Sequence, residues 1–200
     1  MTSFSLRLIA FFAMLIDHVA AVFLVGSPFY FPLRMVGRLA FPIFAFLTVQ
    51  GYFCTRNFPR YMLRLVVTAV ISQIPYMVVF PDAHRLNVIF ELIAGLWFLW
   101  LLDHETTPLR FLGSLVAVGV LSMVSEYSLL GLFLMVAYYA AAKWSSVVYM
   151  ALCSINYLGV GALAALFLRR YNGQFGRKLP RLVVYGFYSI HLFVLAWLRV

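Results

Sequence analysis

The chain has 200 residues, of which 65% are hydrophobic and only 10% charged, with a formal net charge of +9. Soluble domains carry about 25% charged residues, so this composition excludes an ordinary soluble globule. No hydrophilic stretch is long enough for a separate soluble domain, and residues 1–200 read as a single membrane domain. The positive balance does not call for nucleic acid. A long basic tail and nucleic-acid-binding motifs are both missing, and arginines in short loops set topology and meet anionic lipid headgroups.

In chain order, the apolar runs predict an all-α, polytopic membrane bundle of about eight transmembrane helices. They cover 6–24, 33–53, 61–80, 87–103, 110–125, 128–142, 146–168 and 181–199. Asp17 and His18 interrupt the first run and no small-residue cleavage pattern follows, so it reads as a span and not as a signal peptide. Pro42 and Pro75 fall inside the second and third spans and predict kinks. Only Glu126-Tyr127-Ser128 separates the fifth and sixth spans, which predicts a tight hairpin. Cys54 and Cys153 are isolated and suggest neither a disulfide framework nor a zinc site. Eight spans place both termini on one side. Loop charges then divide eight to seven, with 169–181 the largest cluster on the far side, and the positive-inside rule favours the far side as cytoplasmic.

A charge near mid-bilayer costs at least ~2.5–3.5 kcal/mol, so it must find a partner or a wet cavity. Asp17 and His18 lie about 100° apart on a helix and can face one cavity. Asp17 would then favour the imidazolium or fix its tautomer; the alternative is a structural pair that locks helices together. Arg34 and Arg38 are four apart and share a face. Arg34 suits a headgroup contact, while the deeper Arg38 is able to hold a carboxylate or a phosphate. Asn87 and Glu91 are also four apart, and Arg38 is the natural cation for Glu91. Glu126 and Tyr127 open the sixth span, and His191 stands alone in the last. By counting, 17–18, 34–38, 87–91, 126–127 and the loop 169–178 fall in the far half. This predicts one polar cavity opening there, with dry helix ends on the other side. No spacing suits a metal, and GxSxG, P-loop and GxGxxG motifs are missing.

Several strings resemble the TraX family, whose founding member acetylates the N-terminus of F-type conjugative pilin. They are Ile16-Asp17-His18, Gly37-Arg38-Leu39-Ala40-Phe41-Pro42-Ile43-Phe44-Ala45-Phe46, Gly51-Tyr52, Ile71-Ser72-Gln73-Ile74-Pro75, Leu86-Asn87-Val88-Ile89-Phe90, Tyr171-Asn172-Gly173 and Tyr188 to His191. The likeness runs over nearly the whole chain. The family usually has Asp-Tyr-Gly where this chain has Glu126-Tyr127-Ser128, and often proline where it has Ser189.

The resemblance implies a multi-pass protein of the bacterial inner membrane, distantly similar to integral-membrane acyltransferases. It would take acetyl-CoA as donor, use no metal, and acetylate a pilin-like protein or else a glycan or lipid. His18 would act as general base or transient acyl carrier, oriented by Asp17, with Arg38, Glu91 and His191 completing the catalytic set. Arg38 with Asn87 would steady the oxyanion or the pyrophosphate. Arg34, Asn87, Asn172, Gly173, Arg177 and Lys178 would hold the donor, and Glu126 and Tyr127 the acceptor. Two other classes fit the same residues: a proton-coupled transporter or flippase relaying through Asp17, Glu91 and His191, and a non-catalytic pilus or envelope assembly factor. The lack of internal repeats speaks against the transporter.

Overall fold

The computed structural model describes residues 1–81, 84–104, 107–144 and 161–199. Asp82, Glu105, Cys153 and most of the predicted span 146–168 lie outside the described residues. Among the described residues the chain is helical: α1 (Ser3–Phe23), α2 (Tyr30–Gly37), α3 (Ala40–Cys54), α4 (Phe58–Val79), α5 (Val88–His104), α6 (Pro108–Val124), α7 (Ser128–Trp144), α8 (Gly161–Leu168) and α9 (Arg181–Arg199).

Local chemistry sets the ends. The Thr2 hydroxyl caps α1 by accepting from the Ser5 N–H at 3.3 Å, and the Asn57 side chain caps α4 by accepting from the Arg60 N–H at 2.9 Å. The expected second span is two helices, with a turn at Arg38-Leu39. The cause is Pro42. It has no N–H to give the Arg38 carbonyl, and its ring crowds that carbonyl. The turn closes instead with the Arg38 and Leu39 N–H groups on the carbonyls of Met35 and Val36 (3.2 and 3.1 Å). Pro75 is accommodated within a continuous α4. The α6–α7 hairpin forms as expected, with Ser128 at φ +52°. A left-handed backbone suits glycine best, and here it is a serine that adopts it.

α9 lies along α4, α1 packs on α2 and α3, and α5 sits among α4, α6 and α7. Outward-facing residues are apolar at helical spacing: Leu109, Leu112, Val116, Val120 and Met123 on α6, and Leu63, Val67, Val70, Ile74 and Met77 on α4 are all exposed. Such stripes face lipid, not water. Four stretches are long and apolar enough to cross a membrane: Ser3–Phe23, Tyr30–Cys54, Phe58–Val79 and Leu182–Arg199. α5, α6 and α7 have 17 residues each, about 26 Å of helix against a core of about 30 Å.

The loop after α8 corrects the predicted sidedness. The Met1 ammonium donates to the Arg170 carbonyl, and the Asn172 N–H donates to the Met1 carbonyl at 3.0 Å. The Ser3 and Phe4 N–H groups donate to the carbonyls of Gln174 and Phe175 (2.9 and 3.1 Å). Those two amides are helix-end donors with no partner inside α1, so the loop satisfies them. Residues 169–178 therefore lie at the end of the bundle that carries Met1, here the near end, and not at the far end with Asp17. α9 then runs from near to far, and Arg199 reaches the Val78 and Val79 carbonyls at the end of α4. The last helix thus ends opposite Met1. α7 and α8 both deliver the chain to the near end, where one crossing was expected between them.

The charge balance changes with it. Of fifteen Lys and Arg residues, Arg34, Arg38, Arg85 and Arg199 belong to the far end and the remainder to the near end. The positive-inside rule then makes the near end cytoplasmic, the reverse of the sequence expectation. An Arg177→Cys variant in spheroplasts should resist a membrane-impermeant maleimide until the membrane is opened, and His84→Cys should react at once. The opposite pattern would invert the molecule.

Candidate functional site

The far half of the bundle gathers the buried polar groups. His18 comes from α1 and His191 from α9, and both are buried. His18 Nδ1 and His191 Nε2 are 2.7 Å apart, and the rings stack with centroids 5.0 Å apart. His191 Nδ1 lies 2.8 Å from the Phe187 carbonyl. That carbonyl can only accept, so His191 carries its proton on Nδ1 and, when neutral, a lone pair on Nε2. His18 must then donate through Nδ1–H. Its own Nε2 is left with the lone pair, a tautomer assigned from the bonding pattern. Phe80 and Tyr188 pack edge-on against His18, at 5.2 and 6.4 Å between centroids.

Asp17 does not orient His18 as expected. Its Oδ2 pairs with Arg34 Nη1 at 2.5 Å, tying α1 to α2. Gly37 makes this approach possible: a Cβ there would fall 2.2 Å from the Asp17 Cβ. Asp17 Oδ1 is buried with no hydrogen-bond partner among the described residues. Arg38, Glu126 and Tyr127 surround this pair closely enough to interact with it electrostatically. Tyr127 stacks on Phe41 at 3.9 Å.

Arg34 is therefore committed to Asp17 and lies at the opposite end from the loop 169–178. It is not brought together with Arg177 and Lys178, which were expected to share the donor with it. Asn87, just before α5, stands apart from that loop as well. Its amide donates to the Ala69 carbonyl and to Gln73 Oε1 (2.8 and 2.9 Å), and its Oδ1 accepts from the Ile89 N–H at 3.1 Å. It is a helix cap with its donors spent. Asn172 and Gly173 shape the loop: Asn172 Oδ1 accepts from the Gln174 N–H, and Gly173 adopts φ +75°. Glu91 was expected to meet Arg38. It is fully buried and bonded by the Ser122 hydroxyl, 2.9 and 3.1 Å from its two oxygens, against Gly131.

Sequence reasoning missed the partners that carry no charge. Ser122 is one. Ser72 and Ser189 are two more, with hydroxyls 2.7 Å apart. Ser72 already donates to the Thr68 carbonyl at 2.7 Å, so Ser189 donates to Ser72 and fastens α9 to α4 two residues before His191. Arg85 reaches Ser128 Oγ at 2.9 Å beside a cavity of about 510 Å³ that Gln73, Tyr76, Phe80 and His84 also line. This far-end cavity lies one phenyl ring from His18, but none of the residues expected to line it (17–18, 34–38, 87–91, 126–127 and 169–178) does so. The near end is not dry as expected, because a second cavity of about 350 Å³ opens there. No cluster of three metal-ligating side chains occurs among the described residues.

Fold and site define a multi-pass helical membrane protein built around a buried histidine pair and an adjoining ion-paired cluster. The chain belongs to the TraX protein family, whose model it matches over residues 3–199, and with its long apolar helices this makes it a multi-pass inner-membrane protein. It is also similar to the probable fimbrial assembly protein FimC, serogroup H1, of Dichelobacter nodosus, at 40% identity over 97 residues. That match covers 47% of this chain and 40% of the relative. No solved structure matches it.

Two outcomes test the cluster. Gly37→Ala should force α1 and α2 apart, lowering stability by about 1–3 kcal/mol; thermal melting in detergent measures it. Glu126, in the α6–α7 connection, is pushed up to about 7 by burial, with Asp17 adding to the rise and Arg38, Arg34 and Arg85 opposing it. Its folded value lies above the unfolded 4.5. Its stabilising contribution is therefore complete below the unfolded value and lost as pH rises through the folded one. The melting temperature should fall across that window in the wild type, and the fall should flatten in Glu126→Gln.

Proposed function

We propose that this chain is an integral-membrane acetyltransferase that moves an acetyl group from acetyl-CoA to an amine or hydroxyl, by family resemblance the N-terminus of a pilin-type protein. The observation that carries the reading is the chain of bonds Phe187 carbonyl, His191, His18, which leaves His18 Nε2 as a fixed, buried base. In this reading His191 takes the orienting role expected of Asp17. As the acceptor nitrogen or oxygen attacks the thioester carbonyl, its proton passes to His18 Nε2. The C–S bond then breaks, and the departing thiolate takes that proton to leave as CoA thiol. The transient imidazolium on His18 is stabilised by the His191 lone pair, which accepts its Nδ1–H.

The ion-paired cluster supplies the remaining parts. In this scheme Arg38 faces the oxyanion, and Glu126 and Tyr127 flank the acceptor. Asp17 and Arg34 act as positioning residues that hold α1 and α2 in register. Glu91, bonded to Ser122 one helical layer away, supports the α5–α6 contact in this scheme.

A second reading is favoured by the name of the fimbrial relative: a non-catalytic factor that assembles pilus or envelope proteins. The two part on one measurement. With purified protein, radiolabelled acetyl-CoA and a peptide bearing a free N-terminus, His18→Ala should lower transfer by about 10²–10⁴-fold. His191→Ala should lower kcat more than it changes KM and move the acid limb of the pH–rate profile. Ser72→Ala, which loosens the same helices without touching the pair, should leave that limb in place. Undiminished transfer in His18→Ala would falsify the catalytic reading.

A further inference from the structure

The near-end cavity has no part in the chemistry so far described. Arg7, Cys54 and Phe175 stand at its mouth by their places in α1, α3 and the loop, and Tyr188 closes its inner end. Tyr188 is also the ring against which both histidines pack, 6.4 Å from His18 and 5.5 Å from His191. The cavity therefore runs from the near surface to one side chain short of the histidine pair.

Its size and walls narrow the occupant. A cavity of about 350 Å³ falls within the range of about 300–1,000 Å³ that takes a small organic ligand. That exceeds an acetyl group and falls well short of a two-chain phospholipid. The walls are mostly apolar but carry oxygens at intervals: Thr55 and Thr48 towards the mouth, then Tyr61, then Thr68 deeper in. The Tyr61 and Thr68 hydroxyls already donate to backbone carbonyls, so their oxygens are left to accept from N–H groups. A chain with amide groups suits such walls better than a bare hydrocarbon tail. At the mouth, Arg7 is ringed by Tyr61, Tyr171 and Tyr185, and Arg64 lies over the Tyr185 ring at 5.6 Å. No carboxylate lines the cavity among the described residues, so these cations suit a phosphate.

We infer that this cavity seats the pantetheine arm of a CoA thioester, with the phosphates on Arg7 and Arg64 and the thioester end turned towards Tyr188 and the histidine pair. The inference rests on the acetyltransferase reading and gives its donor a route. The donor enters at the near end, where the positive-inside rule puts the cytoplasm, and the far-end cavity beside Phe80 is left for the acceptor.

Cys54 is a free, exposed thiol in the cavity mouth and provides the probe. In detergent-solubilised Cys153→Ser protein, acetyl-CoA should slow alkylation of Cys54 by N-ethylmaleimide about tenfold. Arg7→Ala, with Arg64→Gln as a second variant should the first fail to fold, should require about tenfold more acetyl-CoA for the same protection, as the loss of one charge-assisted bond predicts. Protection must persist in His18→Ala, where transfer is lost. Equal protection by phosphatidylglycerol micelles without acetyl-CoA would overturn the assignment in favour of a lipid. Acetyl transfer by wild-type protein with Cys54 unprotected would overturn the cavity route and leave the acetyltransferase reading standing. Protection without any transfer would support the arm site and remove the reading on which it rests.

Discussion

A polar group inside this bundle is costly unless it is answered from within the protein, because a lipid-facing helix has no water to turn to. The Asp17–Arg34 pair is the sharpest case, since it joins a carboxylate and a guanidinium from adjacent helices at 2.5 Å. Around it the same constraint recurs in weaker forms. Ser122 answers Glu91, Ser189 answers Ser72, and the Phe187 carbonyl answers His191. Each answer fixes one helix against another, and together they set the geometry that the apolar contacts fill. Apolar packing alone is tolerant of small slips between helices; these bonds are not.

The sequence made the depth of the charged residues legible and left their partners open. A charge in an apolar run is costly wherever it sits, so Asp17, His18, Arg34, Arg38 and Glu126 stood out, and the structure gathers them at one depth. What the cost does not encode is who answers whom. Glu91 is held by a serine hydroxyl and not by an arginine, and serine is too common in helices to be singled out. His18 meets His191 across 173 positions, a separation that no local pattern reports. The near-end cavity was invisible for another reason: its walls are apolar residues of the same kinds that fill the core, and only their arrangement leaves a space.

The topology shows how one loop can mislead a count. The apolar runs 6–24, 61–80, 87–103, 110–125, 128–142 and 181–199 lie within a few residues of α1, α4, α5, α6, α7 and α9, and the α6–α7 hairpin forms at Glu126-Tyr127-Ser128. Sidedness, however, is a parity, and parity inherits the error of a single segment. Residues 169–178 carry Arg169, Arg170, Arg177 and Lys178, so moving this loop to the Met1 end turned a near-even charge division into a strongly one-sided one. The bonds that move it are main-chain bonds from the first residues of α1 to Arg170, Asn172, Gln174 and Phe175, which side-chain patterns do not announce.

The histidine pair also has a consequence for biogenesis. Asp17 finds Arg34 only 17 residues later, soon after both helices have left the ribosome. His18 must wait for a residue near the other end of the chain, and at about 5–20 residues per second the wait is roughly ten to thirty seconds. Through that interval α1 holds a polar ring with its final partner still unmade. Docking of α9 is thus a closing step, in which the Ser72–Ser189 contact and the ring stack form together. Until then the protein has its helices but not the buried contact that joins its two ends.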